Sequence, residues 1–415
     1  MTGDDLPLLQ TEVPGPSSRA WVDRLARHEC PAITARRVRR AAALGASDTD
    51  PVVWAEAVGA NVRDADGNVF VDLCAGFGVA SVGHRHPAVV RAGQEQLGRL
   101  PHAMGDAFPD LRRIELLERL CAVTGLDRVI FGSSGSDAVE AALKTARIAT
   151  GRSRVLAFTG GYHGLASGPL AALGYHVKNF RDPFADMLGS HVDHAPYGGH
   201  WPALGGYAAV LVEPVQGRGG MRGPPEGWLA HLHAEARAAG TLVIHDEIYS
   251  GLGRTGRMFA AGDLKPDLLC LGKALGGGFP ISACLGTTAA MDAWGASTGE
   301  AIHTQTFLGN PVGCAMALAV LDVIDRQHLV ARAASEGAWF AEALGAVPGV
   351  TGITGSGLML GVHMPDSLGV TRRMMARGYI VLPAGERAEA LGLTPPLTTS
   401  RAQLEAAVLA LTECM

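Results

Sequence analysis

HDEIYSGLGRTGRMFAAGDLKPDLLCLGKALGGGFP, residues 245–280, contains an aspartate at the end of one apolar run (TLVIHDE, 241–247) and a lysine, Lys273, at the end of another (PDLLCLGK, 266–273). Short apolar runs closed by a polar residue read as buried parallel strands whose carboxyl ends open into a shared crevice. Asp246 and Lys273 are therefore expected to face one site. A third run of the same kind, YAAVLVE (207–213), ends in Glu213. The spacings from 213 to 246 and from 246 to 273 each leave room for a strand and a crossover helix. The expected fold is α/β: a large domain with a mainly parallel sheet flanked by helices.

A carboxylate and a lysine on separate strand ends suit a cofactor that is held covalently by an amine and keeps its ring nitrogen protonated against an acid. Pyridoxal phosphate is such a cofactor. Taken singly, each residue has a simpler reading. A strand-end aspartate caps helices and forms turns, and a lysine before a Gly-rich loop is ordinarily a solvated charge. Nor is Lys273 a P-loop lysine, because its glycines follow it and no G-x-x-x-x-G-K-[ST] is present. The case rests on further motifs agreeing in order.

RVIFGSSGSDAVEAALKTARIATG (128–151) passes from a short strand through GSSGS directly into a helix. Small residues at a helix start leave its free amides and positive dipole end open to an anion, which places Gly135 and Ser136 to hold a phosphate. The alternative is a plain capping box made by Ser134 and Asp137. RVLAFTGGYHG (154–164) repeats the strand-then-loop pattern and delivers Tyr162 and His163 just past a strand end, where an aromatic can lie on a planar ring. Upstream, VVWAEAVGANVRDADGNVFVDL (52–73) reads as a hairpin turning through Asp66-Gly67-Asn68. GFGVASVGHRHPAVV (76–90) starts a helix with Pro87 in its first turn, and Phe77 in the preceding loop either lines a pocket or packs in the core.

Residues 1–20 read as a flexible arm, and 21–44 as a basic helical stretch with Arg36, Arg37, Arg39 and Arg40 on a solvated face. No pattern emerges between 180 and 201. The polar loop before GNPVGCAMALAVLDVI leads into a long apolar helix, and the mixture of helix and strand after about residue 325 suggests a smaller α+β domain drawn from both chain ends. The expected division is 1–80 (arm and hairpin), 81–312 (large cofactor domain) and 313–415 (small domain).

With 47% apolar and 18% charged residues the chain can bury a large core. Its net charge of −5, with no basic block, argues against nucleic acid and anionic membranes as partners. The first residues are not those of a signal peptide and no apolar run reaches membrane-spanning length, so a cytoplasmic enzyme is expected. Seven cysteines without C-x-x-C spacing read as reduced, mostly buried side chains. His84 and His86, or His231 and His233, lack the companions of a metal site, and none is expected.

Together these motifs, with EPVQGRGG (213–220), TFLGNP (306–311) and PPL (395–397), resemble the class III (omega, or subgroup II) aminotransferases of the fold-type I pyridoxal phosphate enzymes over nearly the whole chain. The resemblance implies that Lys273 holds the cofactor as an aldimine and then shuttles the proton. Asp246 would partner the pyridine nitrogen, with Ile248 and Tyr162 on opposite ring faces. Ser134, Gly135 and Ser136 would form the phosphate cup, joined by Thr306 from the neighbouring subunit of a homodimer with shared sites. His163 belongs to the same cofactor set.

Tyr249 stands where the family often has Gln, and its hydroxyl could replace the bond to the cofactor's phenolic oxygen. Gly392 stands where the family's carboxylate-reading arginine usually lies. Glycine cannot supply a bidentate clamp. The arginine's usual partner is present as Glu213, which then needs another cation, Arg218, Arg387, Arg401 or a substrate ammonium, with Arg387 and Arg401 as candidate substitute clamps. The implied activity is aminotransfer between an amine or amino-acid donor and a carbonyl acceptor. The alternatives are an amino acid racemase or epimerase on the same scaffold, or a binding protein that has lost catalysis.

Overall fold

The computed structural model describes residues 1–34 and 51–415. Three strands come first, β1 (Trp54–Val58), β2 (Asn61–Asp64) and β3 (Val69–Asp72), paired antiparallel in sequence order. The turn between β2 and β3 is the expected hairpin. Gly67 takes a left-handed φ of 87°, and Asp64 Oδ1 accepts from the amides of Asp66 and Asn68.

Seven strands form the central sheet: β4 (Arg128–Gly132), β5 (Arg154–Phe158), β6 (Val192–Ala195), β7 (Tyr207–Val212), β8 (Leu242–Asp246), β9 (Leu268–Leu271) and β10 (Ser282–Gly286). Their spatial order is β4-β10-β9-β8-β7-β5-β6. The block from β9 to β6 is parallel, and β10 runs against both its neighbours. Every residue of β7 and β9 is buried, as expected of strands covered on both faces. One face packs on the helix Gly135–Thr150, whose inward side is Ala138, Val139, Ala141, Ala142 and Ala146. Such small residues let a helix lie close to the sheet. The other face packs on Leu229, Leu232 and Ala236 of the helix Trp228–Ala239.

β6 is a strand the sequence did not disclose. Its residues, VDHA, are too short and polar to show a periodicity, and pairing with β5 at the sheet edge is what makes them a strand.

The C-terminal part holds β11 (Gly352–Ser356), β12 (Met359–His363), β13 (Tyr379–Ile380), β14 (Leu382–Ala384) and β15 (Ala390–Leu393). Four of these strands form an antiparallel sheet ordered β11-β12-β15-β14. β13 instead joins β3 in parallel, with Tyr379 opposite Val71.

The expected flexible arm is not observed. Residues 3–11 are tied down along the hairpin: Leu8 bridges Val69, Asp5 N donates to Asn61 Oδ1, and Gln10 N and Thr11 N both donate to Asn68 Oδ1. Asn61 and Asn68 are fully buried, so their side chains must be satisfied, and the arm satisfies them. A helix, Pro16–His28, follows. Arg36, Arg37, Arg39 and Arg40 lie outside the described residues.

Five cysteines are buried, Cys121 is half-buried and Cys30 is exposed, all as free thiols. His84 pairs with Asp72, His86 accepts from Ala88 N, His231 pairs with Glu235, and His233 meets His245. Among the described residues, no helix is long and apolar enough to cross a membrane.

Candidate active site

Parallel neighbours β7, β8 and β9 end side by side, and their carboxyl ends deliver Glu213, Asp246 and Lys273 into one cavity of about 310 Å³. Ser134, Gly135, Ser136, Tyr162, His163, Ile248 and Tyr249 complete most of its lining. Lys273 adopts a left-handed φ of 35°, a conformation that costs a non-glycine residue energy and that recurs where function fixes the backbone. Burial, assisted by the Arg218 charge, lowers the lysine's pKa against the opposing pull of Asp246 and Glu213. A buried lysine of this kind gives up its proton more readily and is a better nucleophile.

Asp246 is held at both oxygens. Oδ1 accepts from Ile248 N (3.1 Å), and Oδ2 lies 2.8 Å from His163 Nδ1. Burial alone would depress the histidine, but the Asp246 contact and charge, with Glu213 behind, raise it above its ordinary pKa. The pair thus offers a fixed carboxylate backed by an imidazole.

Glu213 accepts from Tyr162 N (2.7 Å) and Gly217 N (3.1 Å). Burial, opposed by the His163 charge and reinforced by that of Asp246, pushes its carboxyl up to about 7. Two backbone amides satisfy it, so the expected cationic partner is not what holds it.

The helix Gly135–Thr150 begins in a complete capping box of Ser134 and Asp137, and its first residues line the same cavity. Both readings of this motif hold together, since capping uses the Ser134 side chain while the positive helix end remains directed at the cavity. Glycines make the floor tight. A Cβ on Gly135 would meet Ile248 Cδ1 at 3.0 Å, and one on Gly164, at φ 115°, would land on the Ser136 hydroxyl. A helix start, an aliphatic and an aromatic side chain (Ile248 and Tyr162), a carboxylate and a buried amine in one lining fit pyridoxal phosphate chemically.

Tyr249 lines the cavity with its ring. Lys273 Nζ sits 4.3 Å from the ring centre, while the hydroxyl is 3.1 Å from Thr394 Oγ1. Thr394 donates its own proton to the Cys74 carbonyl, so Tyr249 must be the donor to Thr394. That proton is then not available to a second acceptor.

Three predicted residues lie elsewhere. Thr306 is exposed and outside the cavity of its own chain. Arg401 pairs with Glu336 and stacks 3.8 Å over the Trp339 ring, and Arg387 is exposed at the start of β15's approach, so neither substitutes for a clamp at position 392. The sequence had not singled out an outer chamber of about 240 Å³, lined by Phe77, Tyr175, Met221, Leu382, Pro383, Ala384 and Gly392. Tyr162, Arg218, Tyr249 and Lys273 line both spaces. Phe77 is held at its edge by a run of left-handed residues anchored where Asp72 accepts from the Cys74 and Gly76 amides.

Residues 44–202 and 205–415 match the family model described as aminotransferase class-III. The acetylornithine aminotransferase of Corynebacterium efficiens is 39% identical over 383 residues, 88% of this chain and 92% of that protein. The enzyme of the same name from Methanosarcina mazei is 36% identical over 86% of this chain and 90% of its own length. Among solved structures, the ornithine aminotransferase of Toxoplasma gondii ME49 superposes with a TM-score of 0.83 at 28% identity, covering 97% of this chain and 96% of that one. An amine transaminase from an uncultivated Pseudomonas species, solved with pyridoxal phosphate bound, gives 0.79 at 30% identity over 89% of this chain and 97% of that one.

Proposed function

This chain belongs to the class III aminotransferases, pyridoxal phosphate enzymes of fold type I, and on that premise we propose how its own residues move an amino group from a donor to a carbonyl acceptor. When bound, pyridoxal phosphate supplies the conjugated ring that takes up the electrons released at the substrate carbon. Lys273 holds the cofactor and carries the proton at that carbon. Asp246 keeps the pyridine nitrogen protonated, and His163 fixes the orientation of Asp246. Ile248 and Tyr162 bound the ring's two faces, the ring of Tyr249 supports the lysine, and Ser134, Gly135 and Ser136 take the phosphate. The observation that carries this reading is the convergence of Lys273, Asp246 and the helix start at Gly135 on one cavity.

The functional unit in this reading is a homodimer that shares its sites. Segments 101–108 and 302–310 adjoin, through the Thr304 to Asp106 bond and the His102–Phe307 ring contact. They expose Met104, Phe108, Ile302 and Phe307 around Thr306, with Leu111 nearby. An apolar surface of this kind marks a protein contact, and a second subunit docked there would bring Thr306 to the partner's phosphate cup. In this reading 81–312 is the large cofactor domain, and 1–80 and 313–415 flank it, joined to each other where β13 pairs with β3. Free, mostly buried thiols support a cytoplasmic enzyme.

The deciding experiment loads the protein with pyridoxal phosphate and follows its visible absorbance as single donors are added without acceptor. Loss of the absorbance with a donor establishes the first half of aminotransfer. Persistence of the absorbance while the donor exchanges its α-hydrogen would point to racemisation. Lys273→Ala is expected to slow the donor step by about a thousandfold or more; an unimpaired variant would refute the assignment of the lysine.

A further inference from the structure

We propose that Arg218 reads the substrate's carboxylate, so that the substrate is an amino acid with an apolar skeleton, bound from the β7 side of the site instead of through position 392. The inference rests on the aminotransferase reading above and deepens it. Arg218 lines both the cofactor cavity and the outer chamber. Its guanidinium lies over two aromatic rings, 4.7 Å from the centre of Tyr162 and 5.5 Å from that of Tyr175. Among the described residues no carboxylate pairs with it. Glu213, the acid closest to hand in sequence, is already satisfied by amides.

A half-buried guanidinium that is shelved on rings and left without an anion has its fork of donors free for one. Arg–carboxylate pairs are the strong, bidentate case. The two tyrosines, set edge to face, hold the side chain in place, which reduces the entropy lost when an anion binds.

The backbone around Arg218 explains how this arrangement is accommodated. Gln216 and Arg222 bridge each other, so residues 217–221 form a tight loop, with Met221 at a left-handed φ of 53°. This loop lies on the small sheet where β12 and β15 pair Gly361 with Gly392. A Cβ on Gly361 would sit 2.6 Å from the Gly220 carbonyl, and one on Gly392 would sit 2.9 Å from Met221 Cε. Met221 therefore fills the direction in which a side chain at 392 would project. With Phe77, Leu382, Pro383 and Ala384 it makes the remaining wall apolar, and among the described residues the one cation lining that chamber apart from Lys273 is Arg218.

The test uses the cofactor-loaded protein. L-Norvaline and 5-aminopentanoate both reduce to butylamine on removal of the carboxyl group, so each acid is compared with butylamine in the donor step. At least one acid should be preferred by about 30-fold, and Arg218→Gln should collapse that preference toward unity. Calorimetric titration with glutarate, which has no amino group to transfer, should show binding weakened about 30-fold in Arg218→Gln. Arg218→Lys should fall between the two.

No preference in the wild type, a preference that survives Arg218→Gln, or glutarate binding unaffected by the change would each overturn the proposal. If Arg218→Gln does not fold, Arg218→Lys decides, since retention of the full preference without the bidentate fork has the same meaning. A wild-type protein that takes up no cofactor would defeat the preceding reading instead, and glutarate titration of the cofactor-free protein would then judge Arg218 separately.

Discussion

Lys273 Nζ sits over the Tyr249 ring at 4.3 Å from its centre, and Tyr249 is itself gripped between Gly78 and Gly217. A Cβ on either glycine would collide with the ring. The position of the lysine is therefore set by a ring that two other segments of backbone hold in place.

Replacing that ring removes a contact that favours the charged amine. Cation–π contacts contribute about 0.5–2 kcal/mol, so Tyr249→Leu should lower the Lys273 pKa further, by up to about 1.5 pH units. The midpoint of the pH dependence of pyridoxal phosphate capture by cofactor-free protein should move down. A midpoint that moves up, or stays put, would show that the ring does not stabilise the charge.

Glu213 has a folded pKa of about 7, above its ordinary 4.5. The fold thus favours its protonated form. The stability this contributes is fully present below about pH 4.5 and is lost as pH rises through about 7. Glu213→Gln removes the dependence. Between pH 5 and pH 8 the wild type should lose Tm relative to the variant by on the order of a few °C in scanning calorimetry. Parallel pH profiles for the two proteins would contradict the burial of an unpaired acid.

Gly164 takes a φ of 115° with the Ser136 hydroxyl where its Cβ would be. Gly164→Ala strains the backbone and displaces Ser136 from the anion cradle. Pyridoxal phosphate affinity, read from the visible absorbance on titration, should fall about tenfold. An unchanged affinity would place the phosphate elsewhere.

Phe307 is 59% exposed and Leu111 76% exposed on the surface assigned to the second subunit. Phe307→Asp and Leu111→Asp should each shift the protein toward monomer in light scattering coupled to size exclusion, with loss of cofactor affinity where Thr306 is withdrawn from its neighbour's site. Dimers that survive both substitutions would locate the interface on another face.

The catalytic end of the central sheet was legible because strand ends are placed by local geometry. An apolar run closed by Asp246, Glu213 or a lysine can aim that residue in only one direction once the run is buried. The capping box at Ser134 and the hairpin at Gly67 were readable for the same local reason. β6 was missed because its strand character comes from its neighbour. Arg218 was named only as a counter-ion for Glu213, since a Gly-rich loop carries no periodicity and the aim of its arginine depends on Tyr162 and Tyr175, which lie 56 and 43 residues upstream in the chain. The signal available was an arginine flanked by glycines directly after a strand-end acid. Arg387 and Arg401 were misplaced because proximity in sequence to Gly392 says nothing about which face of the small sheet a side chain occupies.

The pairing of β3 with β13, and the bonds from Gln403 Nε2 to the carbonyls of Gly3 and Asp5, join segments up to 400 residues apart. During synthesis the edge of β3 at Val71 and the carbonyls of Gly3 and Asp5 therefore wait for partners until residues 379–403 have been made. Closing so long a loop delays the contact, and the unpaired edge of β3 stays open to other chains in the meantime. Truncation before Gln403 would remove two of the bonds that hold Gly3 and Asp5, and the yield of native protein in a cell depends on how well that edge is shielded until then.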